Sequence, residues 1–205
     1  MIRLEERSER SRVFLFLAPI LAIALTITTG MILFAILGKD PVKTIAVIFL
    51  VPLTDVFSIA EILVKATPLI IIAIGLSFGF HAGIWNIGAE GQFCIGAIAG
   101  GSVALFFYQV ESLWLLPLMC IAGMLGGMAW AAIPAFLKTR FNTNEILVSL
   151  MLSYVAILLL SSLVHGPLKD PDGMNFPETR IFHEAATLPI LIHGTRAHIG
   201  FVVAL

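Results

Sequence analysis

The chain alternates between long apolar runs and short polar breaks, on a scale much longer than a strand. A membrane-crossing helix needs about 20 mostly apolar residues, with a range of roughly 17–25. Residues 13–37, 66–82, 92–107, 113–137 and 146–164 meet or approach that length, and each is expected to form a transmembrane helix. Pro19 lies inside the first run and marks a candidate kink. Gly38-Lys39-Asp40-Pro41 ends that run. Asn142 and Glu145 have the spacing of a helix N-cap and its third-position acid, and are expected to open the last run. Residues 42–62 are apolar but interrupted by Pro52, Asp55 and Glu61, which suits a surface-lying or re-entrant element better than a crossing. Residues 165–197 are rich in His, Pro, Asp, Gly, Asn, Glu and Arg and form a polar loop. Residues 198–205 turn apolar again, too briefly to cross, and are expected to start a sixth span that the sequence leaves unfinished.

Composition turns these runs into a fold class. Hydrophobic residues make up 59% of the 205 and charged residues only 12%. A soluble domain is roughly 45–50% apolar and about 25% charged, so the surplus apolar surface must face lipid. The expectation is an all-α, polytopic transmembrane helical bundle forming a single membrane-embedded domain. Three glycine pairs or triplets recur at intervals of four: Gly75, Gly79 and Gly83; Gly96 and Gly100; Gly123 and Gly127. Such stripes share one helix face and let backbones approach closely in lipid. Cys94 and Cys120 sit in apolar runs and read as small buried hydrophobes rather than a disulfide.

Charge sets the orientation. Arg3, Arg7, Arg10 and Arg12 place the tail 1–12 in the cytoplasm under the positive-inside rule. Lys138 and Arg140 then fall on a cytoplasmic turn, and the turn near 109–112 faces out with no basic residue. The loop 165–197 is also extracytoplasmic, with Lys169, Arg180 and Arg196 balanced by Asp170, Asp172, Glu178 and Glu184. This parity holds only if 42–62 does not cross. A net charge of −1 leaves no electrostatic case for a nucleic-acid partner.

The segment HAGIWNIGAEGQF, residues 81–93, breaks the pattern. It places Asn86, Glu90 and Gln92 between two apolar runs, and Glu90 is the only formal charge between Lys65 and Glu111. A carboxylate at the bilayer centre costs about 2.5–3.5 kcal/mol on insertion scales. Two arrangements fit. The segment is a tight cytoplasmic turn, with Glu90 complementing the dipole of the next helix. Alternatively it is irregular backbone held at membrane depth because it lines a cavity, as short Gly-interrupted segments do in transporters. Trp85 suits an interface anchor or a stacking surface equally.

Other chemistry is absent from the sequence. Gly38-Lys39 is followed by Asp40, so no phosphate-binding loop is present, and neither H-E-x-x-H nor G-x-S-x-G occurs. His183, His193 and His198 have no compact metal-site spacing, and His81 suits a polar helix end. No catalytic residue, metal or cofactor is expected, and the chain is not expected to be an enzyme.

Three stretches carry a family resemblance: GFHAGIWNIGAEGQFCIGAIAGG (79–101), NEILVSLMLSYVAILL (144–159) and GPLKDPDGMNFPET (166–179). Together they resemble the permease subunits of ATP-binding-cassette importers, in the nucleoside and simple-sugar branch related to ribose and branched-chain amino acid permeases. His81 stands where that branch is expected to carry a basic residue, and Ser153 where it is expected to carry Asn. The resemblance implies a fold of about ten spans, of which this chain is the N-terminal half. It implies a multi-pass protein of the bacterial cytoplasmic (inner) membrane. The implied partners are a second permease subunit, two cytoplasmic ATP-binding subunits, an extracytoplasmic solute-binding protein and membrane lipid. The implied function is import of a nucleoside or simple sugar by alternating access, with Trp85, Asn86, Glu90 and Gln92 lining the route. A secondary transporter or channel without an ATPase is the alternative, although such proteins usually carry more intramembrane ionisable residues than the near-solitary Glu90.

Overall fold

The structure is a computed structural model that describes residues 12–205. The cytoplasmic tail expected from Arg3, Arg7 and Arg10 lies outside the described residues. The helices are α1 (Arg12–Ile36), α2 (Pro41–Phe49), α3 (Val56–His81), α4 (Ala89–Phe106), α5 (Leu115–Phe141), α6 (Glu145–His165) and α7 (Gly200–Ala204). Single 3₁₀ turns occupy Val51–Leu53 and Glu184–Ala186. The described residues contain no β-strand, only an isolated antiparallel bridge between Ile190 and His198. The fold is an all-α helical bundle, and among the described residues five helices (α1, α3, α4, α5 and α6) are long and apolar enough to cross a membrane. Two compact units divide the chain after Ile62, inside α3.

In the first unit, polar residues that look like interruptions are helix punctuation. Gly38 takes φ +71°, and Gly38 and Lys39 donate back to the carbonyls of Ala35 and Phe34, which closes α1 with a left-handed glycine cap. The Asp40 carboxylate accepts from the Val42 and Lys43 N–H groups at 3.0 and 3.1 Å, and Pro41 takes the first helical position of α2. Nine residues of α2 extend only about 13 Å, too short for a crossing of roughly 30 Å. Pro52 sits in the 3₁₀ turn, and Asp55 accepts the Ser58 N–H at 3.1 Å to start α3. The apolar segment 42–62 therefore holds a short helix, a turn and the first turns of α3. The helix expected over 66–82 begins ten residues earlier, at Val56, because Asp55 caps it there; α3 is a 26-residue helix about 39 Å long.

In the second unit α4 packs against both α5 and α6. A Cβ on Gly96 would lie 3.0 Å from the Gly123 carbonyl oxygen, and one on Gly123 would lie 3.2 Å from that of Gly96. A Cβ on Gly127 would meet the Gln92 carbonyl at 3.3 Å. These two stripes are backbone-to-backbone seams. The third behaves differently: a Cβ on Gly75 would meet nothing within 4 Å, and Gly83 is a cap with φ +72°. On the α6 side, Gly88 and Gly91 face Ser149 and Ser153, both buried. The Cys94 thiol reaches the Ala156 carbonyl at 3.5 Å and the Trp130 indole N–H donates to the Leu152 carbonyl at 3.3 Å. Cys94 is buried as expected, but Cys120 is exposed.

Asn142 is not the N-cap anticipated for α6. It ends α5 in the left-handed conformation at φ 51°. Asn144 is the cap, its side chain accepting from the Ile146 and Leu147 N–H groups at 3.0 and 3.3 Å. Both residues are Asn, so spacing from the acid alone chose the wrong one. Asn144→Ala is expected to cost about 1 kcal/mol of helix stability, read as a lower unfolding temperature in detergent, while Asn142→Gly leaves it nearly unchanged.

The loop after α6 folds back on the α4–α5 turn. Arg180 pairs with Asp170 at 3.5 Å and lies 5.6 Å from the centre of the Tyr108 ring. His183 Nε2 lies 3.4 Å from the Glu111 carboxylate. Phe182 packs on the buried cluster of Ala104, Leu115 and Ala186.

Candidate functional site: a polar break between α3 and α4

The break is built by one left-handed glycine and one hydrogen bond from the break to α6. Gly83 donates to the Phe80 carbonyl and Ile84 to that of Gly79, the double bond pattern that terminates a helix at a left-handed residue. Residues 84–88 then run without helical structure until α4 starts at Ala89. The Ile87 N–H donates to Ser149 Oγ on α6 at 3.3 Å, and Ser149 donates on to the Ile146 carbonyl at 3.2 Å. A Cβ on Gly88 would sit 2.9 Å from that of Ser149, so the segment rests directly on α6.

Asn86 and Gln92 hold each other. Asn86 Nδ2 donates to Gln92 Oε1 at 3.1 Å, and Gln92 Nε2 donates to Asn86 Oδ1 at 3.2 Å. The Gly88 N–H donates to the same Asn86 oxygen at 2.9 Å. That backbone donor fixes which end of the Asn86 amide is oxygen, and through it the orientation of Gln92. The two amides satisfy one another in a largely apolar setting, where leaving one unpaired costs about 1–3 kcal/mol.

Two clefts flank this pair. The first, about 190 Å³, is lined by Trp85, Asn86, Gln92, Pro134, Lys138 and Glu145, among others. The second, about 420 Å³, runs along α3 past Ile72, Gly75 and Gly79 and also reaches Asn86 and Gln92. Trp85 is 56% exposed and packs at 5.2 Å against Phe80. Lys138 Nζ lies 2.8 Å from the Glu145 carboxylate and sets an ion pair on the wall of the first cleft, between the end of α5 and the start of α6. The structure thus brings Trp85, Asn86 and Gln92 to one cleft. Glu90 stands apart: it is exposed in the first turn of α4, where its charge complements the helix dipole, and it lines neither cleft. His81, at the end of α3, is exposed with a ring nitrogen 2.8 Å from the Ser77 carbonyl.

Sequence reasoning left out Ser149, Lys138, Glu145 and Pro134 as site residues. Ser149 and Ser153 stand four apart facing Gly88 and Gly91, a small-residue stripe as legible as the glycine ones. Lys138 and Glu145 are seven apart across a turn, a separation that only the α5–α6 hairpin brings together.

Long apolar helices around a polar helix break define a multi-pass membrane protein. The chain belongs to the family of permease components of branched-chain amino acid transport systems, which matches residues 58–205. It is 41% identical over 84% of its length to a glucose ABC transporter permease of Haloferax volcanii, covering 45% of that protein. It is 29% identical over 92% of its length to a guanosine ABC transporter permease of Bacillus subtilis, covering 54% of it. A nucleoside ABC transporter permease of Lactococcus lactis subsp. cremoris is 30% identical over 73% of the chain and 41% of that protein. The chain therefore spans about half the length of the curated relatives it matches. No solved structure matches it.

Proposed function

We propose that this chain acts within a permease subunit of an ATP-binding-cassette importer that carries a nucleoside or simple sugar across the bacterial cytoplasmic membrane. The observation that carries this reading is the polar break at 82–92, which opens on two clefts and falls wholly inside the family match. The permease works in a pair, receives solute from an extracytoplasmic binding protein, and is driven by two cytoplasmic ATP-binding subunits. Its role is to offer solute different contacts in two conformations. Covalent chemistry belongs to the ATP-binding partners. Trp85, Asn86 and Gln92 line the route from this chain. Glu90 joins them where the second subunit closes over its face of α4. The helix α2 lies along the membrane surface, which keeps Lys138 and Arg140 on the cytoplasmic side.

The test uses the full-length permease. Affinity purification from membranes is expected to recover ATP-binding subunits, and Asn86→Ala and Glu90→Gln are expected to cut uptake severalfold at equal membrane abundance. Purification without any ATP-binding partner, or unchanged uptake in both variants, would overturn the reading.

A further inference from the structure

The two clefts share one wall. Ile84, Asn86 and Gln92 line both, and across that wall the two carboxamides hold each other through a reciprocal pair of hydrogen bonds. The two sides of the pair are not equivalent. Asn86 is fixed by the Gly88 N–H on its oxygen, in a segment whose backbone is tied to Ser149. Gln92 has a longer side chain on α4, and only Asn86 holds its amide among the hydrogen bonds described. Gln92 can therefore swing away on side-chain torsions while Asn86 keeps its place. The swing leaves unpaired amide groups in a half-buried site, so the pair stays shut unless something takes over both bonds.

We propose that Asn86 and Gln92 form a latch between the two clefts, which a solute opens by taking Gln92's place on Asn86. The solute that does this carries a hydrogen-bond donor and an acceptor side by side on one planar edge. The carboxamides of Asn and Gln pair in this way with the edges of nucleobases. The hydroxyls of a sugar sit on tetrahedral carbons and rotate, so a neighbouring pair of them supplies donor and acceptor without one fixed plane and matches the coplanar amide pair less closely. Trp85, half exposed, lines the first cleft beside Asn86 and adds an aromatic surface suited to the same planar ring. The latch rests on the permease reading above, and it adds a residue pair that selects solute within the membrane, separately from the binding protein.

The test is equilibrium binding of labelled uridine and labelled glucose to the purified full-length permease with its ATP-binding subunits, with no binding protein present. Wild type is expected to bind uridine more tightly than glucose. Gln92→Met keeps the length and removes both hydrogen bonds. It is expected to narrow the uridine-to-glucose affinity ratio by about tenfold, the scale of one hydrogen bond, mainly by strengthening glucose binding. Asn86→Leu is expected to lose the ratio by weakening uridine. An unchanged ratio in Gln92→Met, an equal fall for both solutes, no binding of either solute by wild type, or a wild-type preference for glucose would overturn the latch. Uptake into proteoliposomes holding the same complex, with binding protein and ATP added, separates the two ideas: ATP-driven uptake alongside an unchanged affinity ratio sinks only the latch, and no ATP-driven uptake of any solute sinks the permease reading as well.

Discussion

Gly91→Ala is expected to separate α4 from α6. A Cβ at Gly91 would lie 2.7 Å from the Cα of Ser153 and 3.2 Å from its backbone nitrogen. Backbone cannot rotate out of the way as a side-chain tip can, so the helices must part. Overpacking of this kind costs about 1–3 kcal/mol, and a collision with main chain belongs at the upper end. A large drop in unfolding temperature in detergent, with lower membrane abundance, is the expected readout. Ser153→Gly as a second change should not rescue it, because the obstacle is the Cα that glycine keeps. Gly75→Ala is the control. Nothing lies within 4 Å of that Cβ, and alanine in a helix interior is favoured over glycine by roughly 0.5–1 kcal/mol. Equal behaviour of the two alanine variants would mean that the α4–α6 crossing is not as close as described.

Breaking the amide pair should show strong coupling. Asn86→Leu removes the partner of Gln92 and also the acceptor of the Gly88 N–H. Gln92→Leu strands only the Asn86 amide. Each single change is expected to destabilise by about 1–3 kcal/mol, with Asn86→Leu the larger. The double variant should cost less than the sum, because neither amide is then left without its partner. A double-mutant cycle by denaturant unfolding in detergent measures this, and strict additivity would count against the pair.

The apolar runs carried the fold class, because lipid demands long helices whatever their side-chain details. Helix ends were less legible. The true start of α3 was hidden because Asp55 and Glu61 looked like interruptions, whereas one of them caps the helix. Asn142 and Asn144 are the same residue type two positions apart, and only the left-handed φ of the first assigns their roles. Among glycines, spacing found all three stripes but could not tell a seam from a cap: Gly96 meets backbone and Gly83 ends a helix. At the site, unusual polar residues in apolar surroundings drew attention to Asn86, Glu90 and Gln92, and the family resemblance added Trp85; Trp85, Asn86 and Gln92 share a cleft, and Glu90 lines neither cleft. Their mutual bonding was not legible, since residue identity shows only that amides are present. Ser149 escaped because its partner in the break lies 62 residues away.

That separation has a consequence for how the protein is made. The Asn86–Gln92 pair spans six residues, so it can close as soon as α4 leaves the ribosome. Its anchor on Ser149 cannot. At roughly 5–20 residues per second of synthesis, α6 arrives several seconds later. During that interval the glycine face of α4 is bare, and α5 is the first neighbour to reach it. Chain order thus assembles the α4–α5 seam before the crossing that seats the polar break.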